Sequence, residues 1–312
     1  MSESRPAAHL AASLVLFERL ADESGRPAAY EALRRLLDRP EALQTGAQDR
    51  SLTLKYDFYL GKLKGSAWGV AVNDALEGGV HAREVLRFAR ALGPGYRLTA
   101  VQELARRLQR VDASLTFAVG FDAAGAEPRL KFYFQERSWQ AGVLRCAGLR
   151  GVLEALVPGA ELPSFVAPSR AVGVVAVDLA ANGGVAVKAY LGHPDLEQLC
   201  ADAPAEVKDL AAAMRRASPL PGQFHYLTVR ARADEPLSYS VNKIYDVTAL
   251  VENGRGEAAW ADAAGLFELT GDRRTFERLR ALTADLVALP TATALEDSGK
   301  SADLYVAAVR PQ

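Results

Sequence analysis

Three short segments carry a lysine and a tyrosine two residues apart: Lys131 and Tyr133 in RLKFYFQE, Lys188 and Tyr190 in VAVKAYLG, Lys243 and Tyr245 in SVNKIYDV. All three segments read as β-strands, where residues two apart share a face, so each Lys-x-Tyr pair points one way. One such pair is common on a solvated sheet face. Three at matching places along the chain call for a ligand. Converging ammonium groups need an anion, and the sequence contains no glycine-rich phosphate loop and no metal-ligand cluster to hold one instead. Tyrosines beside the cations add hydroxyls that donate to phosphate oxygens and ring faces that stabilise an adjacent positive charge. Both features suit a site that holds a diphosphate while a carbocation forms next to it. Ionisation of an allylic diphosphate is such a reaction: cations stabilise the leaving pyrophosphate and aromatic faces shield the allylic cation from water.

Neighbouring strands extend this set. In SLTLKYDFYL, apolar residues at every second position leave Thr53, Lys55, Asp57 and Tyr59 on the other face. HYLTVRAR places Tyr226, Thr228, Arg230 and Arg232 together, and SADLYVAAV contributes Asp303 and Tyr305. Lys55, Lys131, Lys188, Arg230, Arg232 and Lys243 are therefore the candidate diphosphate contacts, and Tyr133, Tyr190, Tyr245 and Tyr305 the candidate cation shield. Asp57 is a candidate base, with an ion pair to Lys55 as the alternative. One strand resists the pattern. In LSYSVNKIYDV a strict period of two puts Lys243 and Tyr245 on the same face as Leu237, Tyr239 and Val241. Either a β-bulge shifts the phase there or part of that strand faces elsewhere.

The elements that position these residues alternate regularly. Helical patterns at 8–22 and 27–38 precede strands at 52–60 and 66–72. Helices at 79–92 and 99–110 precede strands at 114–121 and 129–136. A helix at 139–157 precedes strands at 171–179 and 184–191, joined by the turn AANGG. One long helix, 195–217, precedes strands at 223–233 and 237–246. Helices at 257–269 and 273–287 precede strands at 289–295 and 302–309. The hairpin turns fall near residues 62, 125, 182, 235 and 298, at steps of 63, 57, 53 and 63. Five helix–hairpin repeats imply a shared core. Ten antiparallel strands make two sheets or one closed barrel, and closure removes exposed edges while leaving a lumen. The expected fold is α+β: a ten-stranded antiparallel barrel in an outer ring of helices. Nothing divides the repeats, so residues 1–312 are expected to form a single domain.

This arrangement resembles the soluble aromatic prenyltransferases of the ABBA fold, or prenyltransferase barrel. LKFYF, VKAYL and NKIYDV are similar to the barrel strands that carry that family's Lys-x-Tyr diphosphate contacts and tyrosine shield. The resemblance implies transfer of a dimethylallyl or geranyl group to an aromatic small molecule or a peptide side chain. Activity in bacterial natural-product biosynthesis (secondary metabolism) goes with it. Three branches fit: the indole prenyltransferases, the bacterial phenol and naphthalene prenyltransferases, and the cyanobactin-type enzymes. Two positions depart from the pattern. Asp303 stands where a basic residue often occurs, and Thr53 stands near the place of a first-strand glutamate that serves indole acceptors. A phenol needs less help from a base. With no DDxxD motif, no cofactor is required, and Mg²⁺ is at most an optional companion of the diphosphate. A non-catalytic barrel that binds a hydrophobic or diphosphate-bearing ligand is the alternative, and a repeat protein with solvated Lys-x-Tyr strands is a third reading.

Composition narrows the partners. The chain has 312 residues, 49% of them hydrophobic, and a formal net charge of −1. That balance gives no footprint for nucleic acid or for an anionic membrane. Two cysteines and four histidines make neither a disulfide framework nor a zinc pattern. The N-terminal apolar run is interrupted by Glu18 and Arg19, which suits an amphipathic helix and not a signal peptide. A cytoplasmic, monomeric protein is expected, and the Ala, Arg, Leu and Gly usage suggests a GC-rich bacterial genome.

Overall fold

The computed structural model describes residues 15, 18, 19, 22, 53–59, 62–72, 95–109, 116–122, 129–135, 153–154, 156–159, 161–166, 172–285, 288–296 and 299–308. Within 53–72 and 105–122, and at 135, 275, 307 and 308, the description is of the backbone. Its strands are β1 (Thr53–Tyr59), β2 (Lys62–Val72), β3 (Thr116–Asp122), β4 (Arg129–Gln135) and β5 (Val172–Ala180). They continue with β6 (Val185–His193), β7 (Phe224–Arg232), β8 (Ser238–Ile244), β9 (Ala288–Glu296) and β10 (Ser301–Ala308). Every pairing is antiparallel and runs in chain order, and β1 bonds to both β2 and β10, so the sheet closes on itself. The protein is thus α+β, with an antiparallel sheet curled into a ring.

Local chemistry explains the hairpins. Between β5 and β6, Asn182 Oδ1 accepts from Gly184 N at 3.0 Å, and Gly183 takes φ +85°, a conformation that glycine adopts without strain. The strands begin and end close to where alternation places them, with one clear exception. The lysines of the GKLKG segment, expected as a turn, belong to β2, and Lys62 already pairs with Tyr59.

The described helices are α1 (Leu98–Gln109), α2 (Leu196–Cys200), α3 (Ala205–Ala217), α4 (Val247–Glu252), α5 (Gly256–Leu269) and α6 (Arg273–Leu282). The single helix expected over 195–217 is two. Asp195 caps α2 by accepting from Glu197 N and Gln198 N, and the helix stops before Pro204, which opens α3 in an extended conformation. Proline cannot donate the backbone hydrogen bond that a continuous helix needs there. The helices expected at 27–38 and 79–92 lie outside the described residues, as does most of the one at 139–157. Of the helix expected at 8–22, residues 15, 18, 19 and 22 are helical. Arg19 donates to Leu282 O at 2.9 Å and to Asp285 at 2.8 Å, tying this N-terminal piece to the end of α6.

The main core lies between the outward sheet face and the helices. Phe132, Phe134, Val177, Val187, Leu227 and Leu304 supply the strand side, and Leu104, Val207, Met214, Trp260 and Phe267 the helix side. Helix α5 crosses close to the end of α3. A Cβ on Gly265 would stand 1.9 Å from Ala217 O, so only glycine allows that approach. Among the described residues no helix is long and apolar enough to cross a membrane.

Candidate functional site

The inward face of β4 to β7 forms a cationic wall. Register sets Lys131 opposite Asp178, Lys188 opposite both Ala176 and Arg230, and Arg232 opposite Ala186. Lys131 and Asp178 are 3% and 4% exposed, which is unusual for charged residues and requires partners. Lys188 Nζ lies 3.1 Å from Asp178 Oδ2. Burial alone would raise the Asp178 carboxyl. The charges of Lys188, Lys131 and Arg230 outweigh that and hold it well below the usual carboxylate range. The second oxygen, Asp178 Oδ1, is buried without a hydrogen-bond partner, and so is Arg230 Nε. Arg232 sits one step towards the strand end, half-exposed, and pairs with Glu235 in the following turn at 2.8 Å.

Beyond the cations the same strands turn aromatic. Following β7 inward-facing residues gives Arg230, Thr228, Tyr226 and Phe224, and following β6 gives Lys188, Tyr190 and Gly192. Tyr133, Val174, Ala176 and Tyr226 make a buried cluster separate from the main core, with Tyr190, Phe224 and Ile244 against it. Tyr226 meets Tyr190 edge-on at 5.9 Å and Phe224 at 5.3 Å between ring centres. A Cβ on Gly192 would stand 2.5 Å from the Phe224 ring, so the glycine leaves room for this stack. Burial pushes the Tyr226 phenol up to about 12, so it stays neutral and keeps its proton to donate. Asn242 Nδ2 donates to Thr228 Oγ1 at 2.8 Å and fixes the inward face of β8 against β7. A cavity opens between these groups, lined by Lys188, Tyr190, Arg230, Asn242, Glu296 and Tyr305 among others.

The structure thus brings Lys131, Tyr133, Lys188, Tyr190, Arg230 and Tyr305 to one face. Lys55 and Asp57 are described by register alone, opposite Tyr305 and Asp303 respectively. Lys243 and Tyr245 are a correction. No bulge interrupts the pairing of β8 with β7 or β9, so its apolar phase faces outward throughout. Lys243, 2% exposed, contacts Asp262 of α5 and donates to Ser218 O at 2.9 Å and Leu220 O at 3.0 Å. Tyr245 OH donates to the same Asp262 carboxylate at 2.7 Å, as does Ser218 Oγ at 2.5 Å. Burial lowers the Lys243 ammonium and raises the Tyr245 phenol. Both residues anchor helices to the barrel and stand outside the lumen. His193 Nδ1 accepts from Asp195 N at 2.9 Å where α2 begins.

Two lumen carboxylates escaped the sequence pattern. Asp178 is a lone acid in VGVVAVDLA, and Glu296 ends β9 before a turn, so neither stands at a telling distance from the lysines. Among the described residues no group of three or more His, Cys, Asp or Glu could hold a metal ion.

No protein-family model matches the sequence, and no curated protein matches it either. Solved structures do. 5-Dimethylallyl tryptophan synthase from Streptomyces coelicolor, in complex with DMASPP and Trp, aligns over 97% of this chain and 96% of its own, with TM-score 0.69 and 16% identity. 6-Dimethylallyltryptophan synthase from Micromonospora olivasterospora, in complex with the same two molecules, aligns over 96% of each chain, with TM-score 0.65 and 16% identity. AnaPT from Neosartorya fischeri aligns over 94% and 91%, with TM-score 0.65 and 12% identity. The chain therefore has, along nearly its whole length, the fold of the ABBA-type aromatic prenyltransferases.

Proposed function

We propose that the protein is an aromatic prenyltransferase. It moves an allylic prenyl group, dimethylallyl or geranyl, from its diphosphate to an aromatic small molecule or peptide side chain. The whole chain acts as one prenyltransferase-barrel domain of five helix–hairpin repeats, monomeric and cytoplasmic. The observation that carries this reading is the polarity of the lumen: Lys131, Lys188 and Arg230 gather about Asp178, and Tyr133, Tyr190, Tyr226 and Phe224 follow further along the same strands. A ligand with an anionic head and an apolar tail matches that axis. Two structural neighbours hold DMASPP and Trp, and the proposal carries that pairing of donor and aromatic acceptor to this chain.

In the proposed reaction the C1–O bond of the allylic diphosphate breaks and its electron pair leaves on pyrophosphate. The cationic wall stabilises that charge in a site largely closed to water. Tyr133, Tyr190 and Tyr305 present ring faces or hydroxyls to the allylic cation, which the acceptor ring then attacks. Side-chain cations do what a metal cluster would otherwise do, and Mg²⁺ is at most an accessory of the diphosphate.

The test is a calorimetric titration with dimethylallyl and geranyl thiolodiphosphate against wild type and Lys188→Ala. Micromolar binding by wild type and loss of at least tenfold in affinity in the variant is the expected result. No binding of either analogue to wild type would refute the site. One observation supports a second reading, a barrel that binds without chemistry: Asp178 already neutralises part of the cationic wall. Tight binding with no consumption of dimethylallyl diphosphate beside any indole or phenol would favour it.

A further inference from the structure

Glu296 is the last residue of β9, opposite Ser240 on β8 and Ser301 on β10. It is half-buried and lines the cavity together with Lys188, Tyr190, Arg230 and Tyr305. Among the described residues two other carboxylates are buried on the inward face, and each is committed elsewhere. Asp178 is held by the cations of the wall, and Asp303, 1% exposed, makes contacts of its own. Glu296 makes no hydrogen bond or ion pair with any described residue. Its oxygens are not among the buried polar atoms left without a partner, so the carboxylate is open to a ligand in that cavity. The strand order places it well for this. From β9 the ring runs through β8, β7, β6 and β5 to β4, so β9 is five strands of ten away from the strand of Lys131. Glu296 thus stands half a ring from the strand of Lys131 and borders the same cavity as Lys188 and Arg230.

We infer that Glu296 is the base that receives the acceptor's proton. This rests on the prenyl-transfer reading above and deepens it. As the acceptor carbon bonds to the allylic C1, the C1–O bond to diphosphate breaks and pyrophosphate leaves with the electron pair. The hydrogen on the attacked ring carbon then passes as a proton to the Glu296 carboxylate, and the ring regains its aromatic electrons. The arrangement suits a neutral acceptor that binds between the aromatic shield and β9. Asp57, the candidate base of the sequence pattern, has Asp303 and Lys64 as its register neighbours and does not carry this inference.

The test compares wild type, Glu296→Gln and Glu296→Asp with dimethylallyl diphosphate and an indole or phenol, following pyrophosphate and prenylated product separately. Glu296→Gln should bind dimethylallyl thiolodiphosphate within about twofold of wild type, because the cationic wall is untouched. Its prenylated product should fall at least ~100-fold, the scale of a lost general base. Pyrophosphate release should persist, because water traps the cation and gives the allylic alcohol. Glu296→Asp should recover part of the product. Product formation by Glu296→Gln at the wild-type rate would overturn the inference, and so would a loss of analogue binding, which would place Glu296 in the donor site. Wild type that neither binds the analogue nor forms product would instead sink the prenyl-transfer reading, and Glu296 with it.

Discussion

Asp178 sets the charge balance of the cationic wall, although nothing in the sequence marks it. It lies 47 residues from Lys131 along the chain, and only the register of β4 on β5 sets the two opposite each other. The lysines were legible because alternation with Phe132, Phe134 and Val187 fixes their face. The acid was not, because a lone aspartate in an apolar strand has no spacing to read. Removing it should be informative. Asp178→Asn leaves Lys131, Lys188 and Arg230 close together without their anion. Breaking a buried pair in this way should cost about 3 kcal/mol, seen as a lower Tm. Inorganic pyrophosphate should restore stability to the variant by more than it stabilises wild type, since it replaces the missing charge. Equal stabilisation of both proteins would show that the ligand's anion does not sit on this wall. The pH dependence follows from the sign of the shift. The native Asp178 carboxyl is depressed, so its contribution is present above the unfolded value of about 3.9 and is lost only as pH falls through the lower native value. Between pH 7 and pH 5 this residue should leave Tm unchanged.

At the scale of the element, β8 shows why a motif is not a site. NKIY has the same spacing as LKFY and VKAY, but its lysine belongs to the apolar phase of Tyr239 and Val241. The partner that makes an outward lysine tolerable, Asp262, lies on α5 and is brought close by helix packing that no local pattern encodes. Alternation did signal the conflict, since a strict period of two already placed Lys243 with the apolar residues. Lys243 and Lys188 should therefore behave oppositely. Lys243→Met leaves Asp262 buried without its cation and should cost roughly 3–5 kcal/mol by denaturant titration. Analogue affinity of the folded protein should stay at the wild-type value. The double variant Lys243→Met, Asp262→Leu should regain part of the stability, because removing both charges also removes the uncompensated one. A Lys243→Met protein with normal stability and no analogue binding would return Lys243 to the diphosphate site. The helix pair α2 and α3 makes a related point: Pro204 was in plain view, yet the strong periodicity of the flanking residues hid the break.

At the scale of the whole molecule, the turn spacing and the alternating strands carried most of the fold, because a repeat of helix and hairpin leaves few ways to bury the apolar faces. Closure was the harder inference, since sequence alone allows two sheets as readily as a ring. It is testable by backbone chemistry. Neighbouring residues of an antiparallel strand direct their N–H groups to opposite sides. β10 follows every other strand in the chain, and in an open sheet it would be an edge, so one of two adjacent positions would accept proline at little cost. In the closed ring β10 lies between β9 and β1. Ala302 pairs with Leu295 and Phe58, and Asp303 with Ala294 and Asp57. Proline at either position therefore removes a ladder bond that no edge can spare. Ala302→Pro and Asp303→Pro should each destabilise the protein by about 3 kcal/mol or more, with Asp303→Ala separating the side-chain contribution. Val187→Pro, in the interior of β6, gives the reference for a strand flanked on both sides. A penalty at only one of the two β10 positions would mean that the β1–β10 seam is open in solution. The lumen would then admit water along that seam, next to Tyr305, and a cation formed beside it would be quenched before the acceptor could attack.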